Sequence, residues 1–401
     1  MAHIRPPSSP AVSRSKDILL IIGILMIAIN LRPALATVGP LASEIRDAMG
    51  LSSSMLGLLT TLPLLAFGLV STLTPLVTRR YGAAATLAGA MALLAVGIAL
   101  RSFPYMAALF GGTILLGIAI AFGNVLLPSI VKQNFSKKYG LMTSMYSSMM
   151  GVGAALAAGI SVPLAVQLPW GWRGALASWA VLALLALILW LPQLPRLPRG
   201  GSTRSYMTAM RHMVRSRLAW NVALFMGLQS FAFYVILAWL PEMLQSRGAD
   251  PVFSGWMLSL SQTMGVFGSL FIPIWAGRKP SQRHIIWFLV GLELIALLGL
   301  IVPSLGPIQL WVALIGFALG GGFGLALFLI VVRAADTDTA TELSGMVQSI
   351  GYLVAATGPF IVGSLFDLTG NWVHALILLV VVALLKLYTG LGAGKAEVVS
   401  Y

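Results

Sequence analysis

The 401-residue sequence predicts an all-α integral membrane protein whose twelve transmembrane helices form two pseudo-symmetric six-helix bundles. Three observations carry this expectation. Hydrophobic residues make up 58% of the chain and charged residues only 9%, where a soluble globular protein carries roughly 25% charged residues. Twelve apolar runs approach the length of about 20 residues that a helix needs to cross the hydrocarbon core. Motifs of the first half recur in the second half at offsets of 198 to 205 residues. Because the runs are continuous and not alternating, a membrane β-barrel is excluded. With no cysteine in the chain, disulfides, thiolate metal sites and a cysteine nucleophile are excluded too.

The runs follow in order. The first, 17–41, holds the polar stretch Asn30-Leu31-Arg32-Pro33 and has no small-residue cleavage site, so it is a span and not a removed signal. Runs 54–78 and 84–101 are separated by Arg79-Arg80. Run 105–131 stops before Lys132, Lys137 and Lys138, and 140–166 and 173–193 complete the first six. A basic loop with Pro195, Pro198, Gly200, Gly201 and Ser202 follows. Runs 219–243, 254–277 and 285–302 are punctuated by Arg247 and then by Arg278-Lys279. Runs 308–332, 345–366 and 373–393 end the chain. The expected organisation is a first bundle at 1–193, a linker at 194–218 and a second bundle at 219–401. Trp170, Trp172, Trp220, Trp256, Trp311 and Trp372 lie near span ends, where an interfacial aromatic belt is expected.

Basic residues set the orientation. With the N-terminus inside, 20 of the 25 Lys and Arg residues fall in interior loops or interior span ends. Arg46, Arg101, Arg173 and Arg247 fall outside, and Arg32 lies within the first span. This positive-inside bias places both termini in the cytoplasm. It also accounts for the net charge of +14 without a nucleic-acid partner.

The repeat is legible in three pairs. Pro75 with Arg79-Arg80 matches Pro273 with Arg278-Lys279. Phe122-Gly123 before Lys132 matches Phe323-Gly324 before Arg333, and Gly140 with Ser144 matches Gly345 with Ser349. Three matches in order point to a duplicated bundle.

Ionisable residues within spans are costly and therefore informative. Arg32 keeps its proton, so its site must supply water, an acid or an anionic solute; the alternative is a side chain that snorkels to the outer headgroups. Pro33 supplies no amide hydrogen and loosens the helix there. Glu293 is an acid near the middle of span nine, a candidate for proton coupling or a neutral group bonded to a neighbouring helix. Asp17, Arg101, Arg173, Arg333, Asp367 and Lys386 are expected as boundary charges. Polar and aromatic residues complete the candidate substrate site: Asn30, Asn124, Tyr146, Gln229, Phe233, Tyr234, Gln262, Gln348 and Tyr352. Gln229 and Phe233 are four apart, as are Gln348 and Tyr352, so each pair shares a helix face. Rings stack and amides orient a small, flat, polar solute; helix-to-helix hydrogen bonding is the structural alternative. Gly151, Gly153, Gly159 and Gly358 are expected to serve close helix packing. No Walker loop, carboxylate cluster or Ser/His/Asp set is present, so no ATP drive, metal, cofactor or catalytic residue is expected.

Asn30-Leu31-Arg32-Pro33 with Val38-Gly39-Pro40-Leu41, and Leu343-Ser344-Gly345-Met346 with Gln348-Ser349 and Gly351-Tyr352, resemble the cyanate-porter family of the major facilitator superfamily. Leu59–Phe67, Gly123-Asn124-Val125-Leu126-Leu127-Pro128, and Tyr234-Val235-Ile236 with Trp239-Leu240-Pro241 resemble its nitroimidazole-carrying branch. The resemblance covers nearly the whole chain. It implies a monomeric secondary transporter of the bacterial inner membrane, moving a small solute by alternating access between parallel repeats. Spans 1, 4, 7 and 10 would then line a central site, with 3, 6, 9 and 12 outside. The family's solutes range from a small inorganic anion to neutral nitroaromatics. Arg32 and the few intramembrane acids favour a weak acid or anion, with a proton as possible companion. A channel-like facilitator, a transporter-like sensor and an integral-membrane enzyme are the alternatives. The stretch Thr74–Arg80 departs from the superfamily pattern, because no Asp precedes its basic pair.

Overall fold

The computed structural model describes residues 10–197 and 206–399, apart from 52 and 136. His3, Arg5, Pro198, Arg199, Gly200, Gly201, Ser202 and Arg204 lie outside the described residues. The first six spans are α1 (Pro10–Asn30, resumed as Pro33–Ala36), α2 (Ser53–Ser71, resumed as Thr74–Tyr81), α3 (Ala83–Arg101), α4 (Met106–Asn134), α5 (Tyr139–Gln167) and α6 (Trp172–Trp190). The last six are α7 (Arg217–Gln245), α8 (Pro251–Ala276), α9 (Arg283–Ile301), α10 (Ile308–Arg333), α11 (Thr337–Thr369) and α12 (Trp372–Ala393). Ten are long and apolar enough to cross a membrane as they stand, and α2 and α5 make twelve as bent spans. Each coincides with one of the twelve apolar runs.

In hydrocarbon every backbone polar group must be satisfied within the protein, so each interruption needs a cause. α1 breaks at Leu31-Arg32 because Pro33 has no amide hydrogen to donate. Beyond the break the resumed segment is held by side chains: Thr37 Oγ1 donates to Pro33 O at 2.7 Å, and Arg101 Nη1 donates to Ala34 O at 2.7 Å. α2 bends by 59° ahead of Pro75, and α5 by 41° between Ala157 and Gly159.

Lipid tails are as apolar as leucine, so helices associate through close packing and hydrogen bonds. α8 and α10 touch backbone to backbone: a Cβ on Gly268, Gly316 or Gly320 would collide with the carbonyl of Phe317, Ser261 or Gly265. Gly151 packs against Val266, Gly153 against the Ile29 carbonyl and Gly358 against Phe231 and Val235. Gly159 has nothing within 4 Å of a would-be Cβ, so it does not serve packing; the bend of α5 lies one turn before Pro163, which has no amide hydrogen for the Gly159 carbonyl.

Three residues expected at boundaries are buried instead. Arg101 is held under the break in α1, and Arg333 lies where α10 meets the C-terminal tail. Lys386 is 2% exposed, ion-paired to Glu293 of α9, and donates to Gln229 Oε1 of α7 at 2.8 Å. Gln229 Nε2 in turn donates to Leu319 O of α10 at 2.5 Å. Lys386 escapes a sequence reading because its partner is 93 residues away. Of the expected aromatic belt, Trp170, Trp220 and Trp256 are exposed. Trp172 and Trp372 are buried, Trp372 stacked on Phe366 with centroids 4.1 Å apart; they pack helices together and do not face lipid.

Among the described residues, hydrogen bonds between the first six and the last six spans gather toward one end, the end of the basic turns. Arg79 Nη2 meets Glu342 Oε1 at 2.6 Å. Ser147 Oγ donates to Ser269 O at 3.2 Å, Ser148 and Ser269 hydroxyls lie 3.3 Å apart, and Ser349 Oγ donates to Gly68 O. The bundles are therefore closed on each other at the basic end. The acid that the α2–α3 turn lacks is supplied by α11.

The buried Glu293–Lys386 pair makes a stability prediction. Breaking a buried pair from one side leaves an uncompensated charge, at about 3–5 kcal/mol. Lys386→Met should lower the unfolding temperature of the purified protein sharply, and Lys386→Met with Glu293→Leu should restore most of it. Equal losses in the single and double variants would show that the pair does not bear this load.

Candidate functional site

The break in α1 aims Arg32 out of its own bundle. Arg32 occupies the position before Pro33, with φ −118° and ψ −32°, and its carbonyl accepts from the Leu35 and Ala36 N–H groups at 3.0 Å, so it caps the resumed segment. Its half-buried guanidinium lies over two rings of the last six spans: Phe233 of α7, at 5.4 Å from the centroid, and Phe323 of α10, at 4.8 Å. Such cation–π contacts are worth about 0.5–2 kcal/mol. Among the described residues no hydrogen bond or ion pair engages this guanidinium. Its forked donors remain available to an acceptor.

Around it stand further aromatic and amide groups. Tyr234 packs edge-on against Phe233 at 5.3 Å. Tyr352 of α11 packs edge-on against Phe67 of α2 at 4.9 Å. Both tyrosine hydroxyls lie within the electrostatic reach of Arg32. Asn124 of α4 donates from Nδ2 to the Tyr352 hydroxyl at 3.4 Å, and Gln348 Nε2 donates to Asn124 O at 3.4 Å. Gln348 Oε1 is buried and takes no hydrogen bond. Arg32, Phe233, Tyr234, Asn124, Tyr352 and Gln348 thus form one constellation at the junction of the bundles.

Other expected residues are placed elsewhere. Asn30 Nδ2 donates to Met26 O at 2.7 Å and to Leu182 O of α6 at 3.2 Å, so it ties α1 to its own bundle. Tyr146 is 1% exposed, with its hydroxyl unpartnered in the core of α5. Gln229 is spent on Lys386 and Leu319; a Cβ on Gly322 would collide with its amide, so glycine there makes the room. Gln262 is half-buried on α8. Glu293 faces Lys386, and a proton arriving there would dissolve the ion pair. Two residues absent from the expected substrate site join it: Phe323 and Phe67. Phe323 was visible as the repeat partner of Phe122, but a lone phenylalanine in an apolar span carries no polar signal.

Among the described residues the arrangement offers one fixed cation, flat ring faces and amide donors, and no carboxylate or nucleophile in a geometry for bond-making. It can bind and orient a small planar solute with negative or strongly dipolar character. It spans both bundles, so relative movement of the bundles would make and break it.

Comparison with known proteins agrees with this picture. The family model described as Major Facilitator Superfamily matches residues 18–359. The chain is 43% identical to the uncharacterized transporter YycB of Bacillus subtilis over 94% of this chain and 93% of that protein. It is 41% identical to the 2-nitroimidazole transporter of Escherichia coli, over 96% and 98% of the two chains. It is 30% identical to the cyanate transport protein CynX of Escherichia coli, over 88% and 91%. Among solved structures, the proton:xylose symporter XylE superposes with a TM-score of 0.74 at 14% identity, over 95% and 97% of the chains. FucP in the outward conformation also gives 0.74, at 13% identity, over 93% and 98%. The chain belongs to the major facilitator superfamily, and it is a multi-pass membrane transporter and not an enzyme.

Proposed function

We propose that this chain is a monomeric secondary transporter that moves a small planar anion, weak acid or nitroimidazole-like solute by alternating access, with Arg32 as its central ligand. The observation that carries the reading is the free guanidinium of Arg32, bracketed by Phe233 and Phe323 across the bundle junction. A cation in this position without an acid favours a solute that brings an acceptor. The names of the relatives fit that chemistry: nitroimidazole and cyanate are small, flat and rich in acceptors. In this reading the bundles 1–193 and 219–401 rock about the 194–218 linker, and the closed basic end corresponds to a site open to the opposite face. The positive-inside bias supports a basic end in the cytoplasm of a bacterial inner membrane, with both termini there. A proton accompanies the solute most simply as part of a weak acid, since Glu293 is already engaged with Lys386.

Uptake and counterflow in proteoliposomes test this, with cyanate, small carboxylates and 2-nitroimidazole as solutes. Charge-assisted hydrogen bonds contribute about 1.5–3 kcal/mol each, so Arg32→Gln should weaken an anion roughly tenfold to a hundredfold. It should weaken a neutral nitroimidazole less, and Arg32→Lys should fall between, because a point charge lacks the forked donors. Phe323→Leu should cost the flat aromatic solute more than cyanate. Wild-type rates in Arg32→Gln and Arg32→Ala at normal expression would reduce Arg32 to an anchor. Counterflow absent in the presence of net flux would favour a channel.

Orientation has its own test. The chain has no cysteine, so Arg247→Cys should be labelled from outside whole cells by an impermeant maleimide, with Arg80→Cys protected until permeabilisation. The reverse pattern would invert the topology.

A further inference from the structure

At the basic end a cleft of about 550 Å³ lies between the two bundles. The α4–α5 turn contributes Lys137 and Lys138, the α8–α9 turn contributes Arg278 and Lys279, and the C-terminal tail closes one side with Ala396 and Val398. No acidic residue lines it. Arg333, at its rear, is already spent as scaffold: it donates to Ala393 O at 3.0 Å, to Glu397 O at 3.3 Å, to Pro280 O at 3.4 Å and to Gln282 Oε1. These bonds fix the tail and the α8–α9 turn as walls. Glu397 on the tail pairs with Lys395 at 3.6 Å. Lys137, Lys138, Arg278 and Lys279 are exposed and in no ion pair among the described residues.

The internal repeat shows why this cleft is unusual. The bundles meet along two equivalent seams. In one, a Cβ on Gly345 would come within 2.9 Å of Ser71 O and 3.6 Å of Pro75; in the other, a Cβ on Gly140 would collide with the carbonyl of Pro273. Gly345 and Gly140 are 205 residues apart, and the same offset carries Glu342 onto Lys137. Arg79-Arg80 corresponds to Arg278-Lys279 at an offset of 199. The first seam therefore closes a basic pair onto Glu342. The second closes a basic pair onto lysines. The positive-inside rule accounts for basic turns, but not for a seam that brings like charges together where its twin has an acid. Like charges that line one cleft repel, and an anion between them turns that repulsion into attraction from both sides.

We propose that this cleft binds a phosphate-class anion, free in the cytosol or carried on a phospholipid headgroup, which replaces the missing carboxylate and favours the conformation closed at this end. Lysine and arginine are suited to phosphate oxygens. A ligand held by both bundles binds the closed state better than the open one, and so shifts the population toward it.

The test uses the full chain purified in an uncharged detergent. Inorganic pyrophosphate, at ionic strength matched with sodium chloride, is expected to raise the unfolding temperature by a few degrees. The rise should be lost in Lys137→Gln/Lys138→Gln and in Arg278→Gln/Lys279→Gln, all exposed positions, and kept in Arg32→Gln, which separates this cleft from the solute site. Nanodiscs of phosphatidylglycerol against phosphatidylcholine form the second arm. A rise with pyrophosphate assigns a free anion; a rise only with phosphatidylglycerol, lost in the same variants, assigns a headgroup. Spin labels on Arg80→Cys and Lys395→Cys, one per bundle, should shift to shorter separations with the effective probe. No rise in either arm, or a rise that survives both double variants, overturns the site. An unchanged distance distribution overturns its conformational role.

Discussion

The structure depends on one constraint: in hydrocarbon, no backbone polar group can go unpartnered. Continuous helix satisfies it everywhere except where a residue such as Pro33 prevents it. Past the break, Thr37 and Arg101 hold the carbonyls of Pro33 and Ala34 in the resumed segment. With the helix interrupted, Arg32 leaves the face of α1 that packs in its own bundle and reaches Phe233 and Phe323 in the other. A continuous α1 would have no reason to project a guanidinium there.

The same economy governs the other buried charges. Arg333 and Lys386 sit inside the last six spans, yet neither is available to a solute. Arg333 is satisfied by the tail and the α8–α9 turn, and Lys386 by Glu293 and Gln229. Arg32 differs in facing two rings across the bundle junction with no acceptor among the described residues.

How much of this was legible follows from the range of each signal. The twelve spans come from local composition, and all twelve were readable. The repeat was readable because prolines, glycines and basic pairs keep their order across 198 to 205 residues. Arg32, Phe233 and Tyr352 were readable as polar or aromatic groups in apolar surroundings. Phe67 and Phe323 were not, since an aromatic residue in a span resembles any other core residue until Arg32 or Tyr352 is seen beside it. Lys386 was misplaced for the complementary reason: seven residues from the end of α12 it reads as a boundary charge, and only the approach of α9 and α7 makes it internal. Gln229 shares a helix face with Phe233, but Gly322 opens a recess in α10 that draws its amide away.

The strengths of the contacts are divided by where they lie. Within the last six spans, a desolvated ion pair and its amide partners bind four helices, α7, α9, α10 and α12, into one body. Between the bundles stand the Arg79–Glu342 bridge, whose arginine keeps some solvent exposure while its glutamate is buried, serine hydroxyls on carbonyls, and Arg32 on two rings. Neutral hydrogen bonds contribute about 1 kcal/mol each and cation–π contacts about 0.5–2 kcal/mol. Such contacts can be exchanged on each cycle, whereas opening the Glu293–Lys386 pair would cost several times more. A carrier needs this ordering, because its bundles must move as bodies without losing their interiors. The ordering also places at the seams the contacts that the proposed solute at Arg32, or the proposed anion at Lys137 and Arg278, would act on.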